Sequence, residues 1–292
     1  MRIELAGSLI RPDPILVQFA ANGSFVPATY IDEGYTHFEV ICIGGAGGMG
    51  GGIDTVNVGT KIRNYGGAGG GGGFHRVRGL LSALPASCPV VVGAGGIAGR
   101  EDASDPANTL DGGDGGTSSF NTNTCRASGG KGGKRAQTNS DTVASLAHGG
   151  DGGAGNRTVA GGGAAGGVCG TPTATGPGTP GTAGADGTFI NNVGKGGGGG
   201  AGGVGKYGGV TCLAATAGGR GAYNPADTSV YGPNENPGLD TPSGALSVPG
   251  GASGAKAAPL TGLPTLFGRS IGGSRGKGAG QNGIVIIRLT VE

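Results

Sequence analysis

The sequence predicts an all-β protein: an antiparallel β-sandwich formed by N-terminal and C-terminal strands, with long glycine-rich excursions packed as polyglycine-II-like helices. Glycine makes up 75 of the 292 residues, whereas ordinary proteins contain about 7%. Apolar, β-forming runs lie near both ends of the chain, at 37–43 and 283–291. The last run needs a partner, and the nearest candidates precede residue 121, so we expect the two ends to close one sandwich.

The predicted organisation is an N-terminal arm at 1–16, ended by two prolines, and a glycine-rich domain at 17–292. Segment 24–30 is predicted to be extended, and Pro27 would place it at a sheet edge because proline has no N–H to donate. The sandwich strands are predicted within about 15–43, 74–93, 117–120 and 283–291, and the glycine-rich region spans about 44–73 and 94–282.

The glycine-rich region repeats Gly-Gly-x-Gly-Gly, which is a period of three. An extended left-handed helix has three residues per turn and no internal hydrogen bonds, so its backbone must bond to neighbouring segments. Two glycine faces allow that close approach, and the third position can carry a side chain outward, as at Asp114 and Lys131. The glycines predicted to pack in this way are Gly44, Gly45, Gly47, Gly48, Gly66, Gly67, Gly112, Gly113, Gly115, Gly116, Gly129, Gly130, Gly149, Gly150, Gly199 and Gly200.

One motif points to an enzyme. Gly45, Gly47 and Gly50 follow a predicted strand and match the G-x-G-x-x-G fingerprint of dinucleotide-binding domains. That site also needs a helix next and an acidic residue about 20 residues further on. No helical period follows, and no carboxylate lies between Asp54 and Glu101. We therefore predict no cofactor, no catalytic residues and no enzymatic activity.

Metal, nucleic-acid and membrane functions are not expected either. The three histidines follow no metal-ligand spacing, and the five cysteines include no C-x-x-C pair. Cys42 and Cys88 are predicted to pack inside strands, and His37 and His75 to be ordinary strand residues. The net charge is only +2 and no apolar run approaches 18 residues, which gives no reason to expect nucleic-acid binding or membrane insertion.

Several segments occur in a recognisable order, beginning with an apolar strand that enters Gly-Gly-Ala-Gly-Gly at 38–48. The others are GGAGGGGGF at 66–74, PVVVGAGG at 89–96, DGGDGGTSSF at 111–120, ASGGKGG at 127–133 and GQNGIVIIR at 280–288. This order resembles the glycine-rich domain of bacteriophage minor tail proteins, common in phages of actinobacteria. The resemblance spans roughly 36–290. It implies a trimeric virion component at the tail tip that contacts the host surface, and it carries no catalytic residues.

The expected function is therefore that of a structural minor tail protein, synthesised in the host bacterial cytoplasm and located at the tail tip of the virion. Its expected partners are other tail-tip proteins, copies of itself in a homotrimer, and a host cell-surface receptor. Tyrosine and asparagine are common on adaptable contact surfaces, so the turn-rich segment 220–238 is the candidate receptor contact. Its candidate residues are Tyr223, Asn224, Tyr231, Asn234 and Asn236.

Two alternatives remain open. The first is an ice-binding protein, or another extracellular glycine-rich structural protein, built from packed glycine helices. The second is a nucleotide-dependent enzyme, which only the fingerprint at Gly45–Gly50 supports.

Overall fold

A computed structural model describes residues 12–57, 60–64, 66–100, 110–135, 189–190, 193–194 and 278–292. The regular structure of these residues consists of strands in antiparallel sheets, one six-residue α-helix and one short 3₁₀ turn. The predicted all-β class is confirmed.

The larger sheet brings the two ends of the chain together. Its strands, numbered in chain order and given in their order across the sheet, are β1 (Ile15–Phe19), β12 (Ile284–Thr290), β3 (His37–Ile43), β6 (Phe74–Leu80), β11 (Val193–Gly194) and β10 (Phe189–Ile190). All neighbouring pairs are antiparallel. The last strand therefore pairs with two early strands, as predicted. The strand Ile15–Phe19 begins before the predicted arm boundary at residue 16.

A second sheet contains four strands in the order β2 (Gly23–Phe25), β7 (Cys88–Val91), β8 (Ser118–Phe120) and β9 (Cys125–Ala127). Both sheets contribute side chains to one buried cluster, among them Phe38, Val40 and Leu289 from the larger sheet and Phe25 and Phe120 from the smaller one. In β3, alternate residues face this cluster, as expected for a pleated strand. The cluster is the apolar core between the two sheets.

Three sequence predictions need correction. Segment 24–30 is not one extended strand, because β2 ends at Phe25 and a helix, α1 (Pro27–Asp32), begins at once. Pro27 occupies the start of that helix, where its missing N–H costs nothing. Residues 53–64, which were assigned to the glycine-rich region, form a separate hairpin of β4 (Ile53–Asn57) and β5 (Thr60–Asn64). The strand β9 was not predicted, since Cys125-Arg126-Ala127 contains no β-branched or aromatic residue.

Six glycine segments continue six of these strands. They are named G1 to G6: G1 (44–51) after β3, G2 (66–73) before β6, G3 (93–100) after β7, G4 (110–117) before β8, G5 (128–135) after β9 and G6 (278–283) before β12. Three segments lead out of a sheet and three lead into one. The sheets therefore fix both the position and the direction of every described glycine segment.

The strand register continues into the glycine segments. In the sheet, Ile43 pairs with Phe74, and one residue further on the Gly44 N–H donates to the Gly73 carbonyl at 3.0 Å. The pairing then persists at every third residue along G1 and G2. The other strand pairs continue in the same way. The pair β3 and β12 continues into G1 and G6, the pair β7 and β8 into G3 and G4, and the pair β8 and β9 into G4 and G5.

G1 lies in the middle and bonds to five other segments. Its first three N–H groups donate in three directions, to Gly73 of G2, Gly116 of G4 and Gln281 of G6; its carbonyls accept N–H groups from Gly96 of G3 and Gly130 of G5. The direction of donation repeats every three residues. A β-strand bonds in only two directions within its sheet, so this arrangement is not a continuation of either sheet in one plane.

Burial follows the same period of three. In G3, Ala94, Ile97 and Arg100 are exposed, whereas the glycines Gly93, Gly96 and Gly99 are buried. All of G1 and G2 is buried. In G3 the exposed side chains therefore lie at every third position.

Glycine is required where backbones touch. A Cβ added to Gly47 would overlap the carbonyl of Lys131, and one on Gly48 would overlap the carbonyl of Ile97. Those carbonyls belong to hydrogen-bonded backbone, so they cannot move aside as a flexible side chain could.

A buried carboxylate lies on the opposite face of β3 from the core. Glu39 is 5% exposed and has three arginines around it: Arg78 at 2.9 Å, Arg76 at 3.5 Å and Arg288 at 3.9 Å. Strand pairing places Arg78 and Arg288 directly opposite Glu39 on its two neighbouring strands. The carboxylate is therefore neutralised by the adjacent strands.

Glu39→Gln is expected to destabilise the protein by about 3 kcal/mol, because removing one partner from a buried ion pair leaves the other charges uncompensated. Chemical denaturation of the purified chain measures the loss. Glu33→Gln removes an exposed carboxylate and is the control. Equal denaturation midpoints for the two variants would show that the ion pairs of Glu39 with the arginines do not stabilise the fold.

Gly47→Val is expected to cost about 3 kcal/mol or more, because the added Cβ meets fixed backbone instead of a cavity. Thermal unfolding and the yield of folded protein report the effect. The matched control is Ala94→Val, which adds the same side chain at an exposed third position of G3. The packing explanation fails when both variants unfold at the wild-type temperature.

Candidate functional site

The predicted site residues divide into two groups. The packing glycines from Gly44 to Gly130 lie within the described residues, and each is in a glycine segment. The remaining predicted glycines and all predicted receptor contacts, which are Gly149, Gly150, Gly199, Gly200, Tyr223, Asn224, Tyr231, Asn234 and Asn236, lie outside the described residues. The surface that the structure does describe consists of the outer glycine segments and the two sheets.

An ion-pair ladder crosses the outer side of G4 and G5. The Lys131 ammonium lies 2.7 Å from one carboxylate oxygen of Asp114, and the other oxygen accepts the Gly132 N–H at 2.9 Å. Both charged side chains are more than half exposed. The sequence predicted that Asp114 and Lys131 point outward, which is confirmed, but it did not predict that they pair.

The same contact repeats three residues along. The Lys134 ammonium lies 2.9 Å from one oxygen of Asp111, and the other oxygen accepts the Arg135 N–H at 2.9 Å. Each carboxylate thus joins a side chain and a backbone N–H of the neighbouring segment. The repetition links the two antiparallel segments in a single register.

The two carboxylates are more acidic than usual. Partial burial would by itself raise the pKa of Asp111 and of Asp114, but hydrogen bonds and the lysine charges outweigh it and lower both pKa values. For Asp111 the main opposing contacts are the Arg135 N–H and Lys134; for Asp114 they are Lys131 and the Gly132 N–H. The folded state therefore favours the charged carboxylates.

A second polar cluster lies at the core end next to the glycine segments. The Cys42 thiol donates to the Cys125 carbonyl at 3.5 Å, and the Cys125 thiol donates to the His75 carbonyl at 3.1 Å. The His75 Nδ1 accepts the Arg126 N–H at 3.1 Å. These bonds run between the two sheets.

The two thiols of this cluster have opposite pKa shifts. Burial by itself raises the pKa of Cys125, but hydrogen bonds with Cys42 and His75 outweigh it and lower that pKa to about 6. Cys42 and Cys125 are completely buried, and burial raises the pKa of the Cys42 thiol well above its usual value. Cys88 is also free and buried. The predicted packing of Cys42 and Cys88 is confirmed, whereas the contact of Cys42 with Cys125 was missed, because 83 residues separate them.

The described part of the chain contains neither a metal site nor a membrane-spanning helix. Among those residues, no group of three histidine, cysteine or acidic side chains could hold a metal ion. The helices of the same residues include none that is long and apolar enough to cross a bilayer.

Acid is expected to weaken the contact between G4 and G5. Because the folded pKa values of both aspartates are lowered, their stabilisation is present above the ordinary aspartate pKa of about 4 and is lost as the pH falls through the lower folded values. The double variant Asp111→Asn/Asp114→Asn should be less stable at pH 7 by about 1 kcal/mol, since each exposed pair contributes roughly 0.2–1 kcal/mol. Its difference from wild type should shrink as the pH falls below 4.

Denaturation midpoints measured between pH 7 and pH 2 test this expectation. The control is Asp13→Asn/Asp32→Asn, which removes two exposed carboxylates outside the glycine segments. A constant difference between the ladder variant and wild type across the whole pH range would exclude an ionic role for the ladder.

Comparison with known proteins places the chain in a family. No curated protein matches it significantly. A family model described as a glycine-rich domain matches residues 20–290. That match begins directly after β1, ends with β12 and includes all six glycine segments. The chain therefore belongs to the glycine-rich domain family.

Proposed function

We propose that this chain is a structural minor tail protein of a bacteriophage, located at the tail tip, where it contacts the host cell surface and catalyses no reaction. The observation that carries the proposal is the three-directional backbone bonding of G1 to five other segments. It forms a unit whose interior is mostly backbone, with the side chains of Ala46, Met49 and Ala68 buried in it and charged side chains on the outside. Such a unit suits a structural role.

In this proposal the glycine segments are polyglycine-II-like helices and the two sheets form a β-sandwich that nucleates them. Support for the helices comes from the period of three in both bonding direction and exposure, which equals the three residues per turn of an extended left-handed helix. Support for the sandwich comes from the cluster of buried side chains that both sheets share.

The sandwich answers an energetic problem. Glycine loses more backbone freedom on folding than any other residue, at roughly 1–2 kcal/mol for each residue fixed. A lone glycine helix has no internal hydrogen bonds to offset that loss. Because the strands hold six glycine segments in alignment, the segments lose fewer backbone conformations when they pack. G1 then forms hydrogen bonds with five neighbouring segments.

The tail-tip location rests on the ordered motifs that resemble minor tail proteins, together with membership of the glycine-rich domain family. From the same resemblance we propose a homotrimer that docks on other tail-tip proteins and binds a host receptor. Segment 220–238 is the proposed receptor contact, for its tyrosines and asparagines. The protein would be made in the host cytoplasm and incorporated into the virion.

Localisation in purified particles tests the proposal. Mass spectrometry of the encoding phage's virions is expected to find the chain, and immunogold labelling is expected to mark the tail tip. An antibody to the major tail-tube subunit, which labels the tail along its length, is the control. Light scattering of the purified chain should give three times the 27.6 kDa of one copy.

Other results would contradict it. Absence of the chain from purified virions would refute a tail protein of any kind. A random-coil circular dichroism spectrum from a monomeric chain would refute the packed glycine unit. Thermal hysteresis by the purified protein would instead favour the ice-binding alternative.

A further inference from the structure

A cavity lies on the outer face of the four-stranded sheet, away from the core. Its volume is about 390 Å³, which is within the range of roughly 300–1,000 Å³ typical of small-molecule sites. Strand pairing places Val91 opposite Ser119 and Ser119 opposite Arg126. These three lining side chains thus form one row across β7, β8 and β9, so the sheet holds them at fixed spacing.

A buried hydroxyl without a partner lines this cavity. Ser119 is only 9% exposed, and its hydroxyl makes no hydrogen bond to any residue that the structure describes. The adjacent Ser118 differs, because it faces the core and its hydroxyl accepts the Gly93 N–H at 3.0 Å. Buried polar groups are nearly always paired with protein or water, so this hydroxyl is available to a ligand that enters the cavity.

The charge of the cavity is positive. Arg126 lines it, and the guanidinium forms no ion pair with an acidic residue of the described ranges. Among the described residues, the lining contains no carboxylate. An arginine without a partner, in a wall of neutral groups, selects an anion, since its planar fork matches carboxylate and phosphate oxygens.

The rest of the lining is an apolar patch and a hydroxyl-bearing turn. Pro89 and Val91 are exposed and offer carbon surface. Thr122 lies in the turn between β8 and β9, where Asn121 and Thr122 have φ values of 45° and 57°. Positive φ is unusual for a β-branched residue, and such strain is frequent where a turn presents a side chain to a ligand.

We propose that this cavity binds an anionic saccharide unit. The acidic group would pair with Arg126, sugar hydroxyls would bond to Ser119 and Thr122, and the apolar face of the ring would lie on Pro89 and Val91. A uronic acid and a sugar phosphate share this chemistry. The proposal deepens the host-contact role proposed above by naming the class of surface molecule, and binding by the isolated chain tests it separately.

Calorimetry and saturation-transfer NMR with the full chain test the site, using a glucuronate-containing disaccharide, glucose 6-phosphate and a neutral glucose disaccharide as probes. At least one acidic probe is expected to bind ten-fold or more tighter than the neutral one and to weaken as salt increases. Whichever acidic probe binds tighter identifies the anionic group. Equal binding of acidic and neutral probes, or no binding at all, overturns the proposal.

Three variants locate the binding. Arg126→Gln should weaken acidic-probe binding at least ten-fold, whereas Arg100→Gln, which removes a charge from G3, should leave it unchanged. Ser119→Ala should weaken binding several-fold without lowering the unfolding temperature, because it removes a buried hydroxyl that has no partner in the described structure. Unchanged binding by both Arg126→Gln and Ser119→Ala would refute this location.

The two proposals can fail separately. A chain that labels the tail tip but binds no acidic saccharide refutes the cavity proposal and leaves the tail role intact. A chain that binds the acidic probes through Arg126 but is absent from virions keeps the cavity and removes the tail role.

Discussion

Direct contact between backbones is the constraint on which the rest of this structure depends. Around G1, neighbouring segments lie so close that an added Cβ on Gly44, Gly45 or Gly47 would overlap a carbonyl group. The carbonyls at these contacts are held by hydrogen bonds of their own. Close packing of this kind needs glycine on the contacting faces, which explains why glycine recurs with a period of three in the described segments.

The transition from sheets to glycine segments follows from side-chain size. Packed sheets normally lie about 10 Å apart, because core side chains separate them. Here the core contains Phe38 and Phe120, then Cys42 and Cys125 closer to the glycine segments. Thiols reach from one strand to backbone carbonyls of the facing sheet. Beyond them most residues are glycine, and backbone hydrogen bonds join G1 to G4.

The ion-pair ladder and the cavity both lie on the outer surface of the packed sheets and glycine segments. The third positions of the outer segments carry the Asp111 and Asp114 ladder, and their N–H and ammonium partners come from the segment alongside. The cavity on the four-stranded sheet is likewise built on the face that does not meet the core. A backbone-packed interior with varied side chains on the outer surface is consistent with the proposed structural and surface-contact role.

The sequence by itself determined the class of fold and the character of the glycine region. The apolar runs at 15–19, 37–43 and 284–290 became strands, and the period of three correctly indicated outward side chains at Asp114 and Lys131. It could not reveal α1, because Pro27 is compatible with both an edge strand and a helix start. It also missed β9, which contains no β-branched or aromatic residue.

Only the tertiary structure decided which groups meet. The ladder, the Cys42–Cys125 contact and the row from Val91 to Arg126 each join segments that pair through the sheets. Sequence patterns report the face on which a residue lies, since that depends on local geometry. They do not report its partner across the chain, since that depends on which strands pair and in which register.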